Sequence, residues 1–140
     1  SIHVANRTPE RAEALVQHAL SHFNSPQAVN AKLSAGALSL LPHEQYSVII
    51  NATSSGLHGE GLSLPEWLFN DKPFSYDMVY GANPTPFLHL ALDKGCPVAD
   101  GLGMLVGQAA ESFRLWTGVN PDIQPILLRL RKRLGLWNSV

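Results

Sequence analysis

The sequence predicts an α/β domain whose strands lie mostly parallel in a doubly wound sheet. Three observations carry that expectation. Short apolar runs alternate along the chain with longer segments of 3.6-residue hydrophobic periodicity. The intervening segments are long enough for helical crossovers, which impose parallel pairing. Polar motifs follow four of the apolar runs directly, at the place where such sheets bind ligands.

The elements follow in order. Ile2 and Val4 close a first strand. Thr8 is placed to cap a helix with Pro9 at its first position, where a missing N–H costs nothing. Ala12, Leu15, Val16, Ala19, Leu20 and Phe23 form one stripe on that helix, which Ser25-Pro26 ends. Val29 to Leu33 reads as a short strand. Val48-Ile49-Ile50 is an apolar, β-branched run of the kind found in buried parallel strands. The stretch from Gly56 to Asp71 is a loop, with Trp67-Leu68-Phe69 as a short helical turn. Phe74 to Tyr80 is the next strand. Thr85-Pro86 repeats the cap-plus-proline signal and opens a helix that Lys94-Gly95 closes. Pro97-Val98-Ala99 is a short strand. The helix after it places Leu105, Val106, Ala109, Ala110, Phe113 and Trp116 on one side and ends at Thr117-Gly118. Asn120-Pro121-Asp122 caps a final helix, whose stripe is Ile123, Ile126, Leu127, Leu130 and Leu134. Arg129, Arg131, Lys132 and Arg133 read as a solvated basic end that suits the helix dipole.

Composition narrows the function classes. The chain has 140 residues, enough to bury a core, with 45% hydrophobic and 15% charged residues. A formal charge of −1 supplies no general attraction to nucleic acid or to an anionic membrane. No apolar run approaches the ~20 residues needed to span a bilayer. A single cysteine, Cys96, excludes an internal disulfide and fits a reducing, cytoplasmic setting. The six histidines show no metal-ligand spacing beyond the helical pair His18 and His22, so no metal is expected.

Four motifs stand at strand ends: Asn6-Arg7-Thr8, Asn51-Ala52-Thr53-Ser54, Asp77-Met78-Val79-Tyr80 and Asp100-Gly101-Leu102-Gly103-Met104. Each alone is an ordinary cap, turn or surface charge. Together they mark a ligand-binding rim. At the tip of the second strand of a dinucleotide fold, an acidic side chain suits a free ribose 2′-hydroxyl, whereas arginine accommodates a 2′-phosphate. Arg7, with Arg11 one helical turn beyond Thr8, favours the phosphorylated cofactor. Gly101 and Gly103 read as residues that permit positive φ before a helix. No glycine-rich dinucleotide turn stands before Asn6 in this sequence.

The order of these motifs resembles the C-terminal, cofactor-binding part of the shikimate dehydrogenases. Asn6-Arg7-Thr8 with Arg11-Ala12, Ile50-Asn51-Ala52-Thr53-Ser54, Tyr76-Asp77-Met78-Val79-Tyr80 with Pro84-Thr85-Pro86, and Asp100-Gly101-Leu102-Gly103-Met104-Leu105-Val106 with Gln108-Ala109-Ala110 carry the resemblance. It implies a Rossmann-like fold, incomplete at its N-terminus, and reversible NADPH-dependent reduction of 3-dehydroshikimate to shikimate in chorismate and aromatic amino acid biosynthesis. It implies that Asn6, Arg7, Thr8 and Arg11 hold the adenosine 2′-phosphate. Asn51, Ala52, Thr53, Met78, Gly101 and Met104 would line the cofactor path, and Tyr80 and Gln108 would reach the substrate. Residues 1–118 would form the NADP-binding domain, and 119–140 a C-terminal helix packing on it or on a substrate domain that this chain lacks. The lysine and aspartate that assist proton transfer in the family have no counterpart, so no catalytic acid or base is assigned. The 140 residues alone are expected to bind NADPH weakly and to turn over nothing.

Two other readings stay open at this point. A glutamyl-tRNA reductase-like NADPH domain shares the Asn-Arg-Thr strand end, although the Gly-Leu-Gly-Met…Gln stretch speaks against it. A non-catalytic dinucleotide-fold module is the other. An exposed stripe on the final helix would leave room for a homodimer.

Overall fold

The computed structural model describes residues 1–22, 32–55 and 61–137. The chain divides into two compact units, Ser1–Glu44 and Gln45–Val140.

In the first unit, β1 (Ile2–Asn6) leads into α1 (Pro9–His22), and β2 (Leu33–Ala37) follows. The two strands pair in parallel, with Ile2 opposite Leu33 and Asn6 opposite Ala37. Across them, His3 Nδ1 and Ser34 Oγ share a hydrogen bond of 2.9 Å. Helix α1 packs on both strands and buries Ala12 and Val16. Leu15 and Leu20, expected in the same stripe, are exposed. A two-stranded ribbon is narrower than the apolar arc of an amphipathic helix, so it covers only the centre of that arc. The strand expected at Val29 to Leu33 begins at Leu33 instead. Its sequence, Leu33-Ser34-Ala35-Gly36-Ala37, is built from small residues with weak strand preference, which hid it. Residues 29–31, Phe23 and the Ser25-Pro26 stop lie outside the described residues.

The second unit contains β3 (Val48–Asn51), a 3₁₀ turn over Glu66–Phe69, β4 (Phe74–Asp77), α2 (Pro86–Asp93), β5 (Val98–Ala99), α3 (Leu102–Thr117) and α4 (Ile123–Leu134). Its sheet has the order β3-β4-β5, all parallel. Helix α2 packs on β4 and β5. Between them lies the core: Phe69, Phe87, Leu88, Ala91, Val98, Leu102 and Val106, with the Phe69 and Phe87 rings 6.2 Å apart. The ends of α2 follow the sequence signals. Thr85 Oγ1 accepts from the Leu88 N–H at 3.3 Å, Pro86 takes the first helical position, and Gly95 adopts φ +73° beyond Lys94. Gly118 and Gly135 end α3 and α4 in the left-handed conformation, and Asp122 Oδ1 caps α4 by accepting from Gln124 N.

Several expectations are corrected here. Strand β4 stops at Asp77 rather than Tyr80, because the Asp77 carboxylate turns the chain by accepting from the Val79 N–H. The β3 run is parallel but not buried, with Ile50 61% exposed. Helix α2 covers one face of the sheet, and the alternate residues Val48, Ile50 and Phe74 face the other way. Helix α3 buries only Leu102 and Val106, while Leu105 and Phe113 are exposed and Trp116 is 83% exposed. Helix α4 packs against α3 yet buries none of its residues fully. Neither Gly101 nor Gly103 uses positive φ. Among the described residues, no helix is long and apolar enough to cross a membrane.

Within each unit every strand pairing is parallel, as expected of an α/β fold.

Candidate functional site

The strand-end motifs take two different forms. In the first unit, Asn6 Oδ1 accepts from the Thr8 N–H at 2.9 Å, and Thr8 O accepts from Arg11 N at 3.0 Å. This bend converts the end of β1 into the start of α1 within two residues. It leaves Arg7, Thr8 and Arg11 outside the core beside the helix N-terminus, with both arginines exposed and Asn6 half-buried. Neither guanidinium enters an ion pair among the described residues. Two such cations beside the positive end of a helix dipole suit a multiply charged anion such as a phosphate monoester.

In the second unit the ends of β3, β4 and β5 are tied together through their backbones. Met78 N donates to Asn51 O at 3.0 Å, and Gly101 N donates to Val79 O at 3.3 Å. The contact at Gly101 is so close that a Cβ there would fall 1.9 Å from the Met78 carbonyl oxygen. Gly101 is buried and is required by the protein's own packing. Exposed around this junction stand Ala52, Thr53, Met78 and Tyr80. On α3, Met104 is half-buried, and Gln108 follows one turn later, exposed.

Beneath the exposed residues lies a buried polar network. Asn51 is only 4% exposed, and its amide is engaged within the protein: Oδ1 accepts from Thr53 N and Oγ1, and Nδ2 donates to Asp77 Oδ2 at 2.9 Å. Thr85 Oγ1 donates to the same Asp77 oxygen at 2.6 Å. The motif residue Asn51 thus shapes the turn that carries Thr53.

A second buried charge, Asp100 of the last motif, has a partner that the sequence did not reveal. Asp100 is held in a forked ion pair by Arg131, with Nη2 to Oδ1 at 2.7 Å and Nη1 to Oδ2 at 3.0 Å. Arg131 Nη1 also donates to Trp137 O, and Asp100 Oδ1 accepts from Leu102 N. Arg131 is therefore not part of a solvated basic end. It pins α4 to the turn between β5 and α3. These two residues, with Tyr76, Met104, Gln124 and Leu127 among others, line a cavity of about 530 Å³. Burial, then the Asp100 and Asp77 carboxylates, raise the Tyr76 phenol above its ordinary pKa. A cluster of three or more His, Cys, Asp or Glu able to hold a metal is absent among the described residues.

Known proteins match this arrangement. Residues 101–128 match the family model described as the shikimate 5′-dehydrogenase C-terminal domain. A shikimate dehydrogenase (NADP(+)) of Colwellia psychrerythraea is 45% identical over 135 residues, which cover 96% of this chain and 46% of that protein. Among solved structures, an Ael1 enzyme from Pseudomonas putida aligns with a TM-score of 0.78 at 34% identity, over 91% of this chain and 44% of its own. Shikimate 5-dehydrogenase from Thermus thermophilus, in complex with NADP(H) and shikimate, aligns with a TM-score of 0.67 at 33% identity, over 94% and 46%. The chain spans somewhat less than half the length of these relatives. In sequence and in fold, the chain is similar to somewhat less than half of a shikimate dehydrogenase, and residues 101–128 are similar to the C-terminal domain of that family.

Proposed function

We propose that this chain is the NADPH-binding part of a shikimate dehydrogenase that reversibly reduces 3-dehydroshikimate to shikimate. The observation that carries the reading is the pair of exposed guanidiniums of Arg7 and Arg11 beside the start of α1, neither in an ion pair among the described residues. NADPH, when bound, supplies the hydride. Asn6, Arg7, Thr8 and Arg11 hold the adenosine 2′-phosphate through charge-assisted bonds, which an unphosphorylated ribose cannot return. Thr53, whose hydroxyl is bonded to Asn51 and Ser55, and Met78 offer exposed surface along the cofactor path, with Ala52 and Met104 completing it, Asn51 acting through Thr53 and Gly101 through its packing on Met78. The phenol of Tyr80 and the amide of Gln108, both on exposed residues, are available to a substrate hydroxyl.

The same reading divides the chain into a cofactor domain at 1–118 and a terminal segment at 119–140. It places the protein in the cytoplasm, and a free, buried Cys96 accords with a reducing compartment. The exposed Ile126, Leu128 and Leu134 on α4 offer a face for a homodimer or for a substrate domain. Proton transfer is assigned to no residue of this chain. Titrating NADPH into the purified chain, with a parallel assay of shikimate oxidation, tests the proposal. Saturable NADPH binding without turnover is the expected result. Absence of binding would remove the cofactor reading, and turnover would show a proton-transfer group within these 140 residues.

A further inference from the structure

The carboxylate of Asp77 is completely buried at the end of β4. Its partners are an amide, a hydroxyl and a backbone N–H, and it joins no ion pair among the described residues. Burying a carboxylate is costly unless its lone pairs are met. Here Oδ2 accepts from Asn51 Nδ2 and from Thr85 Oγ1, and Oδ1 accepts from Val79 N. Each partner belongs to a different segment. Asn51 relays the contact to Thr53 through two bonds to its Oδ1. Thr85 relays it to the first turn of α2 by accepting from Leu88 N. Val79 lies between the exposed Met78 and Tyr80.

From this geometry we propose that Asp77 is a positioning residue for the cofactor site. It fixes the turns after β3 and β4 from beneath and touches no ligand itself. The proposal rests on the reading of those turns as cofactor-facing. Three donors converge on one side chain, and only an acceptor-only group satisfies them all. An asparagine has one oxygen and one NH₂. Whichever way it is turned, its NH₂ opposes either the Val79 N–H or the Asn51 NH₂. The polar network is therefore directional, and the direction can be reversed.

The test uses the whole chain with Asp77→Asn and with the exchange Asn51→Asp/Asp77→Asn, which keeps net charge. In the exchange, the amide at 77 donates to the carboxylate at 51 and to Thr85 Oγ1, which turns from donor to acceptor, its carbonyl accepts from Val79 N, and Thr53 keeps its acceptor. Amide hydrogen exchange at Thr53 and Val79 is measured against Val98 in the core, and NADPH affinity is measured alongside. The expected result for Asp77→Asn is loss of protection at Thr53 and Val79 with Val98 unchanged, and about tenfold weaker NADPH binding. The exchange variant should recover the protection at Thr53 and Val79. Uniform loss of protection throughout the chain would overturn the proposal, as would wild-type behaviour of Asp77→Asn. Should Asp77→Asn fail to fold, the exchange variant decides alone, since an equally unfolded exchange variant contradicts a role for donor direction. If wild-type chain does not bind NADPH, the functional reading fails, while the amide measurement still judges Asp77.

Discussion

The two units bury different things. Among its described residues, Ser1–Glu44 buries Ala12 and Val16 and little else, and keeps its arginines in solvent. Gln45–Val140 buries Phe69, Phe87, Leu88 and Leu102 together with Asn51, Ser75, Asp77, Thr85 and Asp100. Arg7 and Arg131 make the contrast concrete. Arg131 is 14% exposed and is committed to Asp100, whereas Arg7 is exposed and joins no ion pair among the described residues. A guanidinium already paired cannot also greet an anion, and one left in solvent contributes nothing to folding until the anion arrives. Among the described residues, burial therefore concentrates in the second unit, and the proposed function puts ligand discrimination in the first.

The largest effect that would sharpen this comparison is on stability. Arg131→Leu leaves the Asp100 carboxylate buried without its cation, which should cost about 3 kcal/mol. Arg7→Leu should cost less than about 0.5 kcal/mol, because it removes only a solvated side chain. Urea denaturation of both variants measures the difference. Adding Asp100→Asn to Arg131→Leu should recover part of the loss, since the stranded charge is then gone. Equal costs at 7 and 131 would dissolve the division of labour.

A smaller effect is set by pH. The Tyr76 phenol has a pKa raised above its ordinary 10.0, first by burial and then by Asp100 and Asp77. The unfolded chain releases that proton at lower pH than the folded chain does. Stability from this group is thus fully present below about pH 10 and declines as pH rises through the folded pKa. Thermal denaturation between about pH 9 and about pH 11 should show a shallower alkaline decline for Tyr76→Phe than for wild type, these bounds being roughly one unit either side of an ordinary tyrosine. Parallel curves would mean that neither burial nor the carboxylates shift the phenol.

How much of this the sequence disclosed depends on range. Local chemistry was legible: Thr85-Pro86 did start a helix, Gly118 did stop another, and Val48 to Ile50 did become a parallel strand. Each signal acts within a few residues. What burial depends on was not legible. The stripe ending at Trp116 on α3 is apolar, but periodicity tells which face is greasy and not whether anything covers it. The Arg131–Asp100 clamp joins residues 31 apart, so Arg131 read as one more charge in a basic run. Asp77 was visible as a motif residue, yet its convergence with Asn51 and Thr85 needed the fold.

The most direct test of selectivity by solvent-facing arginines is the equilibrium affinity of the chain for NADP+ and for NAD+, before and after Arg7→Ala. Loss of a charge-assisted contact to the 2′-phosphate should weaken NADP+ by about tenfold or more. NAD+, which offers nothing for Arg7 to grip, should change by no more than about twofold. An equal loss for both dinucleotides, or none for either, would contradict the account.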